Sequence, residues 1–232
     1  MPTQAETLRA VLGASKAVLF DFDGPVCDVF HGIPASGIAD ELASLITVLA
    51  PALEHSAKAT DDPMKVHRLS EEGGGTVLAS VEAALTAAEM RAVKVAGVPT
   101  AGATEALQAA RYSGRRVAIV SNNSAECIQE YLRLHGLAVF VDHVIGRPRL
   151  RPDLMKPSPH PLLSAASALD VAPSRTVLVG DSVSDIEAAR AAGGPSVGYA
   201  NKPHKRASLA NAGASAVVLQ MQEIADALRV PE

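Results

Sequence analysis

The chain contains no tryptophan, three tyrosines and four phenylalanines, so aromatic residues make up only 3% of it. A platform on which successive nucleobases stack needs aromatic faces in series, and this composition leaves little room for one. Cysteine is equally scarce. Cys27 and Cys127 stand far apart, with no CxxC pair and no clustered histidines. That pattern argues against both a disulfide framework and a zinc site, and for two inert thiols in a reducing compartment. Excess positive charge is also missing. With a formal net charge of −4, the chain has no electrostatic reason to take nucleic acid or an anionic membrane as its partner. The most apolar stretch away from the N-terminus, 43–50, stops at Pro51 and is too short to span a bilayer. The N-terminal stretch lacks the basic-then-apolar order of a signal peptide, so a cytoplasmic protein is expected.

What the chain does have is ordinary globular material, 48% hydrophobic and 20% charged over 232 residues. That suits one good-sized domain, or a core carrying a smaller inserted one. Three apolar runs share one design: 17–20, 117–120 and 176–179. They lack polar alternation, as strands buried on both faces of a parallel sheet do. Weaker strand candidates are 141–145, 197–200 and 216–219. Helical patterns at 103–113, 125–135 and 183–192 intervene, each followed by glycine, a favoured residue just past a helix end. Strands alternating with helices predict an α/β fold with a Rossmann-like parallel sheet, whose ligands sit at the carboxyl ends of the strands.

The connection after Gly24 is far longer than the roughly 30 residues of a whole βαβ unit. Its excess, 33–97, shows helical patterns at 35–49, 63–71 and 77–95, broken by Gly73, Gly74 and Gly75. The expected organisation is therefore an α/β core of 1–32 and 98–232, with a small helical domain, 33–97, inserted into it.

Each buried run ends at residues capable of chemistry. Asp21 and Asp23 are two carboxylates at alternate positions where a buried strand ends, a costly arrangement unless something neutralises them. A hard cation such as Mg2+ does so through oxygen ligands. Asp181, ending another run, can serve the same ion, and Asp185 falls in the first turn of the following helix. Taken alone, Asp181 and Asp185 read as residues that cap that helix and complement its dipole. Ser121 ends the second run, and Ser124 is positioned to cap the next helix, where free N–H groups make an anion site. Lys156 lies in a loop between Met155 and Pro157, where an isolated lysine is ordinarily solvated.

Taken together, Asp21, Phe22, Asp23 and Gly24, then Ser121, Lys156 with Pro157, and the run from Gly180 to Asp185 resemble the four motifs of the haloacid dehalogenase superfamily. The order and spacing are similar to its phosphatase branch, phosphoglycolate phosphatase-like, and the inserted helices are similar to that branch's cap. The resemblance implies a Mg2+-dependent phosphoric monoester hydrolase with a small phosphorylated metabolite as partner, and no preference between monomer and dimer. It implies that Asp21 is the nucleophile and a metal ligand, and that Asp23 is the general acid and base and a ligand through its carbonyl. Ser121, Asn122 and Lys156 would hold the phosphoryl group, Asp181 would complete the metal site, and Asp185 would support it. Pro25 departs from the threonine or valine usual there. A phosphomutase, a phosphonate hydrolase and a non-catalytic phosphate binder are the other readings of the same motifs. A 2-haloacid dehalogenase is disfavoured, because that branch lacks the carboxylate of Asp23. Lys65, His67 and Arg68 of the insertion are expected on its surface, and His31 in a loop.

Overall fold

The computed structural model describes residues 3–229. Six strands form one sheet: β1 (Ala17–Phe20), β2 (Arg116–Val120), β3 (His143–Ile145), β4 (Thr176–Gly180), β5 (Ser196–Tyr199) and β6 (Ala216–Val218). All pairings are parallel, and the spatial order is β3-β2-β1-β4-β5-β6. The helices are α1 (Gln4–Ala14), α2 (Ala35–Leu49), α3 (Glu54–Lys58), α4 (Pro63–Leu69), α5 (Gly75–Ala92), α6 (Ala103–Tyr112), α7 (Ala125–Leu134), α8 (His160–Ala168), α9 (Val183–Ala191), α10 (Lys205–Ala212) and α11 (Met221–Leu228).

The lack of alternation in β1, β2 and β4 now has a physical reason. Alternate side chains leave opposite faces of a strand, and here both faces are covered. Val18, Phe20, Val117, Ile119, Val177 and Val179 join α1, α6, α7 and α11 in one apolar cluster. Ala17, Leu19, Ala118, Val120 and Leu178 join α8 and α9 in another. The result is a three-layer α/β/α sandwich. Fully burying one such Val, Leu or Phe contributes about 1.5–3 kcal/mol, which outweighs the modest strand propensity of segments this short.

Between β1 and β2 the described residues hold helices α2–α6 and no named strand. Helices α2 to α5 close over an apolar cluster of their own, including Ile38, Leu42, Ile46, Val66, Val81 and Leu85. The helical pattern expected at 63–71 ends earlier, at Leu69, and continues as a 3-10 turn, Ser70–Gly73. Gly74 then reverses the chain with φ +88° before α5 begins, a conformation that suits glycine alone.

Register positions the site. Phe20 pairs with Ile119 on one side and with Val179 on the other. Asp21, Ser121 and Asp181 therefore leave the sheet within two residues of one level. From β1 the chain runs to β2 and β3 on one side, then returns to β4 on the other. Such a reversal opens a crevice at the carboxyl edge, where ligands of open α/β sheets bind.

Candidate active site

Asp21, Asp23, Ser121, Asn122, Lys156 and Asp181 all line one cleft of about 560 Å³, together with residues of the helical insertion. At the ends of β1 and β4, Asp21, Asp181 and the fully buried Asp185 each bring an oxygen within 4.8 Å of the others. The expected convergence of strand-end acids is thus present, with the Asp185 carboxylate inside the cluster. Asp23 lies apart from that trio: its Oδ1 accepts the Val29 N–H at 3.0 Å.

Lys156 is 2% exposed, so the loop position that suggested a solvated lysine is misleading. Its ammonium lies 2.8 Å from Asp21 Oδ1 and 2.5 Å from Asp185 Oδ1, and it donates to the Val120 carbonyl. Burial opposes its charge, but Asp185 and Asp21 outweigh that and raise it above the usual lysine range. Asp185 also does what a helix cap does. Ser182 and Asp185 form a reciprocal capping box at the start of α9, so one residue serves both the helix and the lysine.

Burial, and then the neighbouring Asp185, push Asp21 well above the usual carboxylate range, against the pull of Lys156. Burial likewise raises Asp23 to about 7, with Asp181 adding to it and the Val29 hydrogen bond opposing. Asp181 is raised by burial despite an ion pair to Lys205 at 2.5 Å and a hydrogen bond from Asn201 at 3.0 Å. Carboxylates held this high in a cleft mark a place where positive charge is in short supply. Their donor set is all oxygen, which fits a hard divalent cation and not a thiophilic one.

Ser121 is buried, and its hydroxyl donates to Asn123 Oδ1 at 3.2 Å. Ser124 caps α7, its Oγ accepting the Cys127 N–H. The Asn122 amide reaches across to Lys156, accepting its N–H at 2.9 Å and donating to its carbonyl at 3.2 Å. After Asp23 the turn with Pro25 is tied by the Thr100 hydroxyl, which donates to the Gly24 carbonyl at 2.8 Å. Cys27 and Cys127 are buried and free.

A family model for haloacid dehalogenase-like hydrolases matches residues 15–193. The chain belongs to that family. A phosphoglycolate phosphatase of Rhodospirillum rubrum is 30% identical over 94% of this chain and 92% of its own length. One from Nitrosococcus oceani is 40% identical, over 39% of this chain and 40% of its own length. The chain thus spans about 40% of the length of the first curated relatives it matches. Among solved structures, CbbY from Rhodobacter sphaeroides in complex with phosphate superposes with a TM-score of 0.65, at 18% identity over 90% of this chain and 96% of the other. That likeness is one of fold.

Within this haloacid dehalogenase-like hydrolase, the insertion departs from expectation at His67, which is not on the surface but 0% exposed. Its Nε2 lies 3.4 Å from Glu82. Lys65 is exposed and Arg68 half-buried, and both line the cleft; Arg68 donates to the Lys156 carbonyl. His31 is exposed beside Asp28 and does not line the cleft. Residues missed in the sequence are Lys205 and Asn201 on Asp181, and Asn123, Glu89 and Arg147 behind the Ser121 loop. Glu89 carried a signal: it shares a helical stripe with Leu85, Ala88 and Ala92, all buried, and a carboxylate on such a stripe needs a partner.

Proposed function

We propose that this chain is a Mg2+-dependent phosphatase that hydrolyses a small-metabolite phosphate monoester through an aspartyl-phosphate intermediate. One observation carries the reading: Asp21 shares Lys156 with Asp185, and Asp181 closes a trio of carboxylate oxygens, on a cleft into which Asp23 also opens. Asp21, Asp181 and the Asp23 carbonyl are the proposed metal ligands, with Asp185 in support. When bound, Mg2+ supplies positive charge that lets an anionic nucleophile approach an anionic phosphate.

The remaining work falls to the chain's own residues. Asp21 Oδ attacks phosphorus as the ester P–O bond breaks, and Asp23 gives its proton to the departing alkoxide. With a pKa near 7, Asp23 can do so and then, as carboxylate, take a proton from water. That water attacks phosphorus and releases Asp21 and inorganic phosphate. Ser121 and the Asn122 backbone hold phosphoryl oxygens, and Lys156 balances charge that spreads over them. The helices of 33–97 act as a cap that excludes water before the phospho-enzyme forms. Among the described residues no helix is long and apolar enough to cross a membrane. The two buried thiols suit a reducing cytoplasm.

The test is phosphate release from phosphoglycolate, the substrate in the names of the curated relatives, and from a panel of sugar phosphates. Activity should require Mg2+ and vanish in Asp21→Asn. Undiminished turnover by that variant, or by the wild type in excess chelator, would refute the reading.

A further inference from the structure

The loop after β2, whose Ser121, Asn122 and Asn123 line the cleft, is fixed from outside it. Glu89, near the end of α5, is 0% exposed. Its carboxylate accepts from Asn123 Nδ2 at 3.1 Å and from the Ser124 N–H at 3.0 Å. Arg147, in the loop after β3, closes on the same carboxylate with both terminal nitrogens, at 2.8 and 3.2 Å. It also donates to the Asn122 carbonyl at 3.1 Å and to Thr86 of α5 at 3.0 Å.

Two branches run from this pair to the cleft. Through Asn123, whose Oδ1 takes the Ser121 proton and whose N–H donates back to Ser121 Oγ, the pair sets the serine hydroxyl. Through Asn122, which grips both the N–H and the carbonyl of Lys156, it sets the backbone that presents the lysine. One carboxylate on an inserted helix therefore orders the whole run 121–124.

A buried ion pair is a weak source of stability, since desolvating both charges roughly cancels their attraction. Its geometry suggests another use. Backbone N–H groups aimed at a phosphate must already hold their shape when the anion arrives, or ordering them is subtracted from binding. Four donors, from Arg147, Asn123 and Ser124, converge on Glu89 and leave the loop little freedom. We infer that Glu89 and Arg147 are positioning residues for the phosphate-binding loop, so that the inserted helices contribute to phosphoryl affinity without touching the phosphate. This rests on the phosphatase reading of the cleft.

The experiment measures affinity for inorganic phosphate in the Mg2+-loaded protein, by calorimetry and by product inhibition, for the wild type, Glu89→Gln, and the double variant Glu89→Gln/Arg147→Met. Glu89→Gln is expected to weaken phosphate binding and raise KM by about 10–100-fold, the scale on which residues that orient ligating groups act. Mg2+ affinity measured without phosphate should not change. The double variant removes the stranded charge, so its Tm should return towards wild type while phosphate binding stays weak. A variant that melts lower yet binds phosphate as the wild type does would overturn the inference, leaving the pair a structural tie. If Glu89→Gln does not fold, the double variant decides between the same two outcomes. A wild type that binds no phosphate in Mg2+ sinks the phosphatase reading and this inference with it; normal wild-type binding with unaffected variants sinks this inference alone.

Discussion

Adding a single methyl group at Gly24 should separate the catalytic geometry from the stability of the fold. Gly24 has φ +103°, and a Cβ there would lie 2.5 Å from Asp181 Cγ and Oδ2, and 3.0 Å from Oδ1. Carbon atoms in comfortable contact are about 3.5–4.0 Å apart, so something must shift by roughly an ångström. The turn is tied at both ends: the Gly24 N–H donates to the Cys27 carbonyl, and Thr100 holds the Gly24 carbonyl. Asp181 is the softer party. To escape it must leave Lys205 and Asn201 and carry its oxygen out of the cluster with Asp21 and Asp185. The backbone cost of placing alanine at such a φ is about 1–3 kcal/mol. Gly74→Ala is the matched control, with φ +88° and no atom within 4 Å of the added carbon. Both variants should lose roughly 2–12 °C of Tm, on the scale of about 2–4 °C per kcal/mol for a chain of this size. Only Gly24→Ala should also weaken Mg2+ binding in calorimetry and cut hydrolysis, on the order of 10²-fold, as when one charge-stabilising contact is removed from an active site. A Gly24→Ala protein with normal Mg2+ affinity and rate would show that Asp181 does not hold the proposed metal.

Asp23→Asn should leave Mg2+ binding largely intact while lowering kcat by about 10²–10⁴-fold, the usual contribution of general acid–base catalysis, measured by steady-state phosphate release. His67 should make the fold acid-sensitive. Burial, then Arg147 and Arg68, against the pull of Glu89, push it down to about 4, and Glu82 is the carboxylate on its Nε2. The unfolded chain therefore takes up the proton first. The stabilisation from a neutral His67 is complete above pH 6.5 and is lost as pH falls towards 4, by about 3 kcal/mol in all. Urea unfolding across that window should show a shallower pH slope in His67→Phe than in the wild type, and equal slopes would count against it. Leu85→Ala, in the core of the insertion, should cost about 2–5 kcal/mol in denaturant melts; a loss under 1 kcal/mol would mean those helices pack far more loosely than they do here.

The sheet was legible because burial on both faces leaves a local mark. Runs such as Val117 to Val120 have no polar alternation, and each ends at a polar group just where the sheet's carboxyl edge lies. The short outer strands were legible too, although β3 and β6 carry three residues each. The acidic members of the site are tied to strand ends, Asp21, Asp23 and Asp181, or to the first turn of the helix that follows, Asp185, so local spacing reveals them. Lys156 could be recognised only through the motif it belongs to. Nothing near it in sequence says that Asp21 and Asp185, far off in the chain, will enclose its ammonium. Lys205 and Asn201 were invisible for the same reason, since they arrive from the loop and helix that follow β5. His67 misled because its neighbours Lys65 and Arg68 face the cleft, while the next position around the short helix α4 faces Glu82 and α5. Helical spacing alone cannot tell which of two sides of so short a helix will be covered.

The charges at these strand ends favour the proposed divalent metal on grounds that do not depend on motif spacing. Asp21, Asp23, Asp181 and Asp185 place four carboxylates just past the ends of β1 and β4, three of them with oxygens within 4.8 Å of each other. Lys156 and Lys205 bring two ammonium groups. If all four are ionised, this strand-end group is short of two positive charges, and the upward shifts of Asp21, Asp23 and Asp181 express that deficit. A substrate phosphate only deepens it. Protonating carboxylates would balance the charge but would disable Asp21 as the proposed nucleophile, whereas a divalent cation balances it and leaves Asp21 anionic. Lys156 and Lys205 cannot take that part, because both are already committed, Lys156 between Asp21 and Asp185 and Lys205 on Asp181. Calorimetric Mg2+ binding should therefore release protons between pH 6 and 8, and binding without proton release would mean that the carboxylates were already ionised and that the deficit is met in some other way.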